Sequence, residues 1–280
     1  MKMIVKSYAK VNLHLAVGGI RDDGFHSLQS IFAKISLHDI IEIDADISKD
    51  LNISIKGLDA CNLKGEDTIS KAIRLWCEKA RINLDVKVNI KKRIPSEAGL
   101  GGGSSNGAST LLTLNKMFTN YRLSFDQLKT IALDIGSDVP FFLYDTTFAY
   151  VEGRGEFVEP LDKKFDYSIE LYKPKHGVST KGAFYKLDQI KRREFIKKEE
   201  LINIFNQGVN QWKTFFYNDF ELVIESDVLS KLREENNCFT LMSGSGSTCY
   251  KVCNKNDKCS LKTPFSEKYK DKIDTFSCFF

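Results

Sequence analysis

Pro95-Ser96-Glu97-Ala98-Gly99-Leu100-Gly101-Gly102-Gly103-Ser104-Ser105-Asn106 separates two strongly patterned segments. Before it, Leu84, Val86, Val88 and Ile90 alternate with Asp85, Lys87 and Asn89, the period of a strand with one buried face. After it, Ala108, Leu111, Leu112, Asn115 and Phe118 recur at three- and four-residue spacings, the period of a helix. A glycine loop that leaves a strand and opens a helix presents bare backbone N–H groups at the positive end of a helix dipole. Several amides converge there with no Cβ in the way, which suits a phosphate. Ser104 and Ser105 fall where the helix begins and are placed to cap it or to reach a phosphate oxygen. The loop is not a Walker loop, because Ser104 rather than Lys follows the last glycine. Nor is it the dinucleotide fingerprint, whose sixth place from Gly99 is again Ser104.

Around this loop the composition is that of an ordinary globular chain. At 280 residues it is long for one domain and comfortable for two. The 41 basic and 37 acidic residues give a formal charge of +4 with both signs interspersed, so no nucleic-acid partner is expected. Lys91-Lys92-Arg93 and Lys191-Arg192-Arg193 are short clusters that read as solvated surface. No segment has the length of a membrane span and Met1–Lys6 has no signal-peptide core, so a cytoplasmic protein without a membrane partner is expected. The seven cysteines are odd in number and scattered. Cys249, Cys253 and Cys259 lie close together without a paired Cys-x-x-Cys, so reduced structural thiols are expected rather than zinc.

Along the chain, Lys10 to Val17 alternates, with Val11, Leu13, Leu15 and Val17 on one face and Lys10, Asn12, His14 and Ala16 on the other. That polar face either lines a site or meets water. Ile40–Ile43 and Leu51–Ile55 read as strands. Asp67 or Thr68 caps a helix burying Ile69, Ala72, Ile73, Trp76 and Ala80. Ser124-Phe125-Asp126-Gln127 is a capping-box signature, and Gly136 ends the helix it opens. Asp138, before Pro140 and among apolar neighbours, fits the N-cap of a short helix. It also fits a carboxylate held in a dry site as a base or anchor, and the two roles are compatible. Phe148–Glu152 and Tyr167–Leu171 read as strands, with a domain join near Asp162-Lys163-Lys164. Phe184–Ile190, Leu201–Phe205 and Phe220–Leu232 read as helices, and Ser243–Thr248 as a second glycine-serine loop between strands, able to approach phosphates.

Three segments, Ala9-Lys10-Val11-Asn12-Leu13, Pro95 to Ser105 and Ser243 to Thr248, resemble the three motifs of the GHMP kinases, those acting on galactose, homoserine, mevalonate and phosphomevalonate. They come in the expected order and span nearly the whole chain. Arg21-Asp22-Asp23-Gly24-Phe25-His26-Ser27-Leu28-Gln29 and Gly136-Ser137-Asp138-Val139-Pro140-Phe141 resemble one branch of that family. This branch uses ATP to phosphorylate the 2-hydroxyl of 4-diphosphocytidyl-2-C-methyl-D-erythritol, in the non-mevalonate route to isoprenoid precursors. The resemblance implies a two-domain α+β fold divided as 1–160 and 161–280, with the active-site cleft between the domains. It implies Asp138 as catalytic base with Lys10 as its catalytic companion, and Mg²⁺ arriving with ATP on ligands it does not specify. Pro95, Ser96, Glu97, Ala98, Gly99, Leu100, Gly101, Gly102, Gly103, Ser104 and Ser105 would bind ATP. Asn12 would contact the erythritol, Phe25 and Phe184 would stack on the two faces of cytosine, and His26 would read its edge. A small-molecule kinase acting as a monomer or weak homodimer is expected. Four positions depart from the family's habit: Tyr8 for a common Pro, Phe25 for the commoner Tyr, Gly107 for a frequent Ala, and Asp67 where an Asn often faces adenine.

Overall fold

The computed structural model describes residues 1–58, 65–234, 238–254 and 273–280. Packing divides these into two compact units that interleave along the chain. One comprises Met1–Ala9, Leu37–Ser96 and Gly101–Asp145; the other comprises Lys10–Ser36, Glu97–Leu100 and Thr146–Phe280. This is a division by packing, whereas the join near residue 160 is read from the charge-rich Asp162-Lys163-Lys164 just after Pro160. Helices and antiparallel sheet both contribute, so the α+β class read from the sequence is the class observed.

Two long strands, β1 (Lys2–Ile20) and β2 (His26–Ser48), pair with each other and contribute residues to both units. In the first unit, the end of β2 pairs antiparallel with β4 (Asn83–Lys91), from Ile40 opposite Lys91 to Ser48 opposite Asn83. β3 (Asn52–Lys56) joins β4 in parallel. Burial alternates strictly along β4, hiding Leu84, Val86, Val88 and Ile90, as the sequence period requires. Helix α1 (Thr68–Ala80) is capped by Asp67, whose carboxylate accepts the Ile69 and Ser70 N–H groups, each at 2.9 Å. It buries Ile69, Ala72, Ile73, Trp76 and Cys77, and packs on α2 (Gly102–Met117). Helix α3 (Phe125–Ile135) opens with the full Ser124–Gln127 capping box. A short α4 (Val139–Phe142) follows.

The second unit holds the rest of the elements. The start of β2 pairs with β5 (Phe148–Gly153), from Leu28 opposite Gly153 to Ala33 opposite Phe148. β5 then pairs with β6 (Phe157–Leu161). A second, four-stranded antiparallel sheet runs in the order β10 (Ile273–Phe279), β7 (Tyr167–Pro174), β9 (Cys249–Asn254), β8 (Phe239–Met242). Helices α5 (Thr180–Leu187), α6 (Lys198–Gln207), α7 (Val209–Phe215) and α8 (Asp227–Glu234) accompany it. The expected helix Phe220–Leu232 is instead two pieces, a 3₁₀ turn over Asp219–Leu222 and then α8. Among the described residues no helix is long and apolar enough to cross a membrane. Cys77, Cys238, Cys249, Cys253 and Cys278 are thiols not joined in disulfides; Cys249 and Cys253 sit buried on β9, and Cys259 lies outside the described residues.

Candidate active site

The glycine loop is set by its entry. Asp39, fully buried, accepts the backbone N–H groups of Arg93 at 2.7 Å and Ile94 at 2.9 Å and pairs with the Lys92 ammonium. Lys92 is therefore engaged rather than merely solvated. Beyond Ile94, Pro95 is half-buried and Ser96 and Glu97 are exposed, while Ala98 and Leu100 turn inward. Gly99 and Gly101 adopt φ of 72° and 66°, the left-handed region in which a Cβ is costly. Gly101 takes the N-cap place of α2, so Ser104 and Ser105 lie inside its first turn and neither caps it. Glycine rather than serine opens α2, because the residue before Gly102 takes a left-handed conformation that glycine adopts without strain.

In the second unit, the three motif segments meet around Asn12. The Lys10 backbone N–H donates to the Leu100 carbonyl at 2.9 Å, tying β1 to the loop. The Ser243 hydroxyl donates to the Gly99 carbonyl at 2.8 Å, and a Cβ on Gly99 would lie 2.0 Å from the Ser243 carbonyl oxygen. The Asn12 amide oxygen accepts from the Lys10 Nζ at 2.8 Å and from the Gly244 N–H at 2.9 Å; its Nδ2 donates to Ser30 at 3.0 Å. Tyr250 donates its hydroxyl to the Asn12 carbonyl at 2.6 Å. An amide oxygen has two lone pairs, so Asn12 spends both on this network and uses one of its two N–H groups in it. The Lys10 ammonium lies 4.5 Å from the centre of the Phe32 ring.

The polar side of β1 does not face water: Lys10, Asn12 and His14 are all buried. His14 sits against the Tyr217 ring at 4.5 Å, and burial, with the Arg193 charge adding to it, pulls its imidazole down to about 3, so it is neutral. The hydroxyls of Ser247 and Thr248, in the second glycine-serine loop, are buried with no hydrogen-bond partner among the described residues. Buried hydroxyl donors without partners beside an array of loop amides are what an anionic oxygen would satisfy.

Also in this unit, His26 and Phe184 come together, their rings stacked at 4.6 Å and 17°. His26 Nε2 lies 2.9 Å from the Asp188 carboxylate, which also pairs with Arg192. Phe25 is 45% exposed, and the Arg154 guanidinium lies 4.4 Å from its ring centre. An ion pair from Arg21 to Glu156, at 2.6 Å, fastens the turn carrying Phe25 to the turn carrying Arg154. So one face of Phe184 carries His26, and one face of Phe25 carries Arg154.

In the first unit, Asp138 stands at the N-cap position of α4, but its φ of −86° and ψ of −13° are helical and its side chain makes no capping bond. It is half-buried, next to buried Val139 and Pro140. At the start of α2, the Thr68 hydroxyl donates to the Gly103 carbonyl at 2.7 Å, and the Ser7 and Ser105 hydroxyls bond at 2.7 Å. Asp67, with its carboxylate committed to capping α1, adds a hydrogen bond from the Ser70 hydroxyl at 2.6 Å.

Residues 67–146 match the family described as GHMP kinases N terminal domain. A 4-diphosphocytidyl-2-C-methyl-D-erythritol kinase of Prochlorococcus marinus (strain MIT 9301) is 36% identical over the whole of this chain and 95% of its own length. The enzyme of the same name from Thermotoga maritima is 36% identical over 87% of this chain and 89% of its own. The chain belongs to this kinase family. A crystal structure of 4-(cytidine 5′-diphospho)-2C-methyl-D-erythritol kinase superposes with a TM-score of 0.77 at 27% identity, covering 99% of this chain and 98% of that one. The Methanococcus jannaschii mevalonate kinase, with a TM-score of 0.69 at 16% identity, shares the fold. Within this family framework the sequence singled out Lys10, Asn12 and the two loops, and passed over Ser30, Arg154, Asp188 and Tyr250. Each of these four acts through a partner distant in sequence and lies outside the motif segments.

Proposed function

We propose that this kinase transfers the γ-phosphoryl group of ATP to the 2-hydroxyl of 4-diphosphocytidyl-2-C-methyl-D-erythritol. The observation that carries the reading is a set of hydrogen bonds that links all three family motifs: Lys10 and Gly244 both donate to Asn12, the Lys10 N–H donates to Leu100, and Ser243 donates to Gly99. Glu97 to Leu100 and the amides opening α2 would cradle the phosphates, with the unpartnered Ser247 and Thr248 hydroxyls as further donors. Pro95, Ser96 and Ser104 complete the ATP loop.

In this reading the Asp138 carboxylate takes the proton from the 2-hydroxyl as its oxygen bonds to the γ-phosphorus. The bond from that phosphorus to the bridging oxygen breaks, and ADP leaves. Its half-buried place beside the buried Val139 and Pro140 supports the assignment. Lys10 contributes positive charge where the alkoxide develops, and Asn12 fixes the Lys10 ammonium while offering its remaining N–H to the polyol. Mg²⁺ would come bound to ATP, neutralising phosphate charge; no residue is assigned to hold it. Phe25, His26 and Phe184 are assigned to the cytosine, and we keep residues 1–160 and 161–280 as the family's two domains.

A coupled ADP-release assay with the cytidine-diphosphate substrate, run beside mevalonate and homoserine, tests the reading. Turnover on mevalonate or homoserine but not on the cytidine compound would refute it. ATP binding with no turnover on any acceptor would indicate a protein that has lost catalysis. Asp138→Asn is expected to lower kcat by at least about a hundredfold while leaving ATP affinity within a few-fold. A kcat close to that of the unmodified protein would remove Asp138 from the base role.

A further inference from the structure

Helix α5 ends at Leu187, and Asp188 follows as its C-cap residue, four places after Phe184. That spacing puts Phe184 and Asp188 on one side of the helix end. Both reach the same partner. Phe184 lies parallel to the His26 ring, 4.6 Å between centres and 17° between planes, while Asp188 Oδ1 meets the ring's edge at Nε2, 2.9 Å away. Phe220 also packs against Phe184, with 4.9 Å between ring centres and 84° between planes. A rotation of His26 about its side-chain bonds would break the stack and the edge bond together.

The carboxylate also decides which nitrogen carries hydrogen. Arg192 donates to the same Asp188 oxygen, so that oxygen already serves as an acceptor. An ionised carboxylate only accepts, so His26 Nε2 must be the donor. In the neutral ring this leaves Nδ1 as a lone-pair acceptor, pointing away from Asp188 in a plane parallel to Phe184.

Resting on the cytidine-substrate reading, we infer that Asp188 is a positioning residue that selects the base: it fixes the His26 tautomer and plane so that Nδ1 accepts a hydrogen bond from an exocyclic amino group. A base bonded in the imidazole plane is itself parallel to Phe184, so one arrangement sets both the stacking direction and the edge polarity. At the place of cytosine's 4-amino group, uracil presents a carbonyl oxygen, which would face the Nδ1 lone pair with no hydrogen between them. Rejection of a base that leaves polar groups unpaired is stronger than rejection by shape alone.

The test measures kcat and KM for the cytidine-diphosphate substrate and its uridine counterpart in the full chain, Asp188→Ala, Asp188→Asn, His26→Ala and the double variant Asp188→Ala/His26→Ala. Asp188→Ala is expected to raise KM for the cytidine substrate about tenfold, to reduce the cytidine-over-uridine preference by a similar factor, and to leave KM for ATP and kcat within about twofold. In the His26→Ala background the same change should add almost nothing, since Asp188 acts through that ring. Long-range ¹H–¹⁵N correlation spectra should show His26 as the Nε2–H tautomer in the unmodified protein and as a mixture in Asp188→Asn. If Asp188→Ala fails to fold, the Asp188→Asn kinetics and spectra decide. Unchanged base preference, additive effects in the double variant, or an Nδ1–H or doubly protonated His26 in the unmodified protein would each overturn the inference. Absence of turnover by the unmodified protein on the cytidine substrate would instead overturn the functional reading beneath it.

Discussion

Single residues decide how closely the glycine loop and the second loop approach. Gly99 is the sharpest case, because its φ of 72° and the position of the Ser243 carbonyl, 2.0 Å from where a Cβ would stand, both demand glycine. Left-handed backbone alone costs a residue with a side chain about 1–2 kcal/mol, and a clash with backbone cannot be relieved by a rotamer change. Gly99→Ala is therefore expected to lower stability by at least about 2 kcal/mol in urea unfolding and to cut kcat/KM for ATP by at least about tenfold. Gly19→Ala, with nothing within 4 Å of its new methyl, is expected to stay within about 0.5 kcal/mol of the parent. Comparable losses at both positions would mean that the close approach is not what Gly99 serves. Sequence alone exposed the glycine string and the Lys10–Asn12 pairing on one strand face. It did not reveal that the face is buried, because alternation fixes which residues share a side and says nothing of what covers that side.

At the scale of elements, legibility followed local chemistry. The strict alternation of β4, the Asp67 cap of α1 and the capping box of α3 are written in adjacent residues and were readable there. β6 was not. Its exposure pattern has no period, among the described residues it pairs with β5 alone, and Pro160 within it lacks the N–H a central strand would need. The Phe220–Leu232 segment misled for a different reason. Phe220, Leu229 and Leu232 share one buried cluster with Leu187 and Met242, so they repeat as a helix face would although the chain between them breaks. α1 offers the clearest test at this scale. Asp67 is its N-cap, and no acidic residue stands in its first turn to replace the lost charge. Asp67→Ala is expected to cost about 1 kcal/mol, and Asp67→Asn much less, since an amide oxygen still accepts the Ile69 and Ser70 N–H groups. Equal losses in the two variants, measured by urea unfolding, would show that charge rather than capping is what Asp67 supplies.

Over the whole molecule, the response of stability to acid depends on groups that burial moves away from their ordinary ionisation range. His14 is the largest such case that acts near neutral pH, held neutral down to about 3 by burial, with the Arg193 charge as a lesser cause. An unfolded histidine protonates near 6.5, so between pH 6.5 and 3 the unfolded chain binds a proton that the folded one does not. Stability conferred by the neutral ring is thus complete above pH 6.5 and is lost as pH falls, at about 1.4 kcal/mol per pH unit for one proton. Asp219 and Glu221, whose carboxyls burial raises, act with the opposite sign, losing stability as pH rises through their folded range. Because both remain in a His14→Phe variant, the difference between the two proteins isolates the imidazole. Phenylalanine keeps an aromatic ring against Phe216 and Tyr217, so packing changes are similar at every pH. From pH 7.5 to 5.0 the unmodified protein is expected to lose on the order of 2 kcal/mol more unfolding free energy than His14→Phe. Parallel pH profiles for the two proteins would mean that His14 takes up a proton in the folded state, and that the polar face of β1 reaches solvent after all.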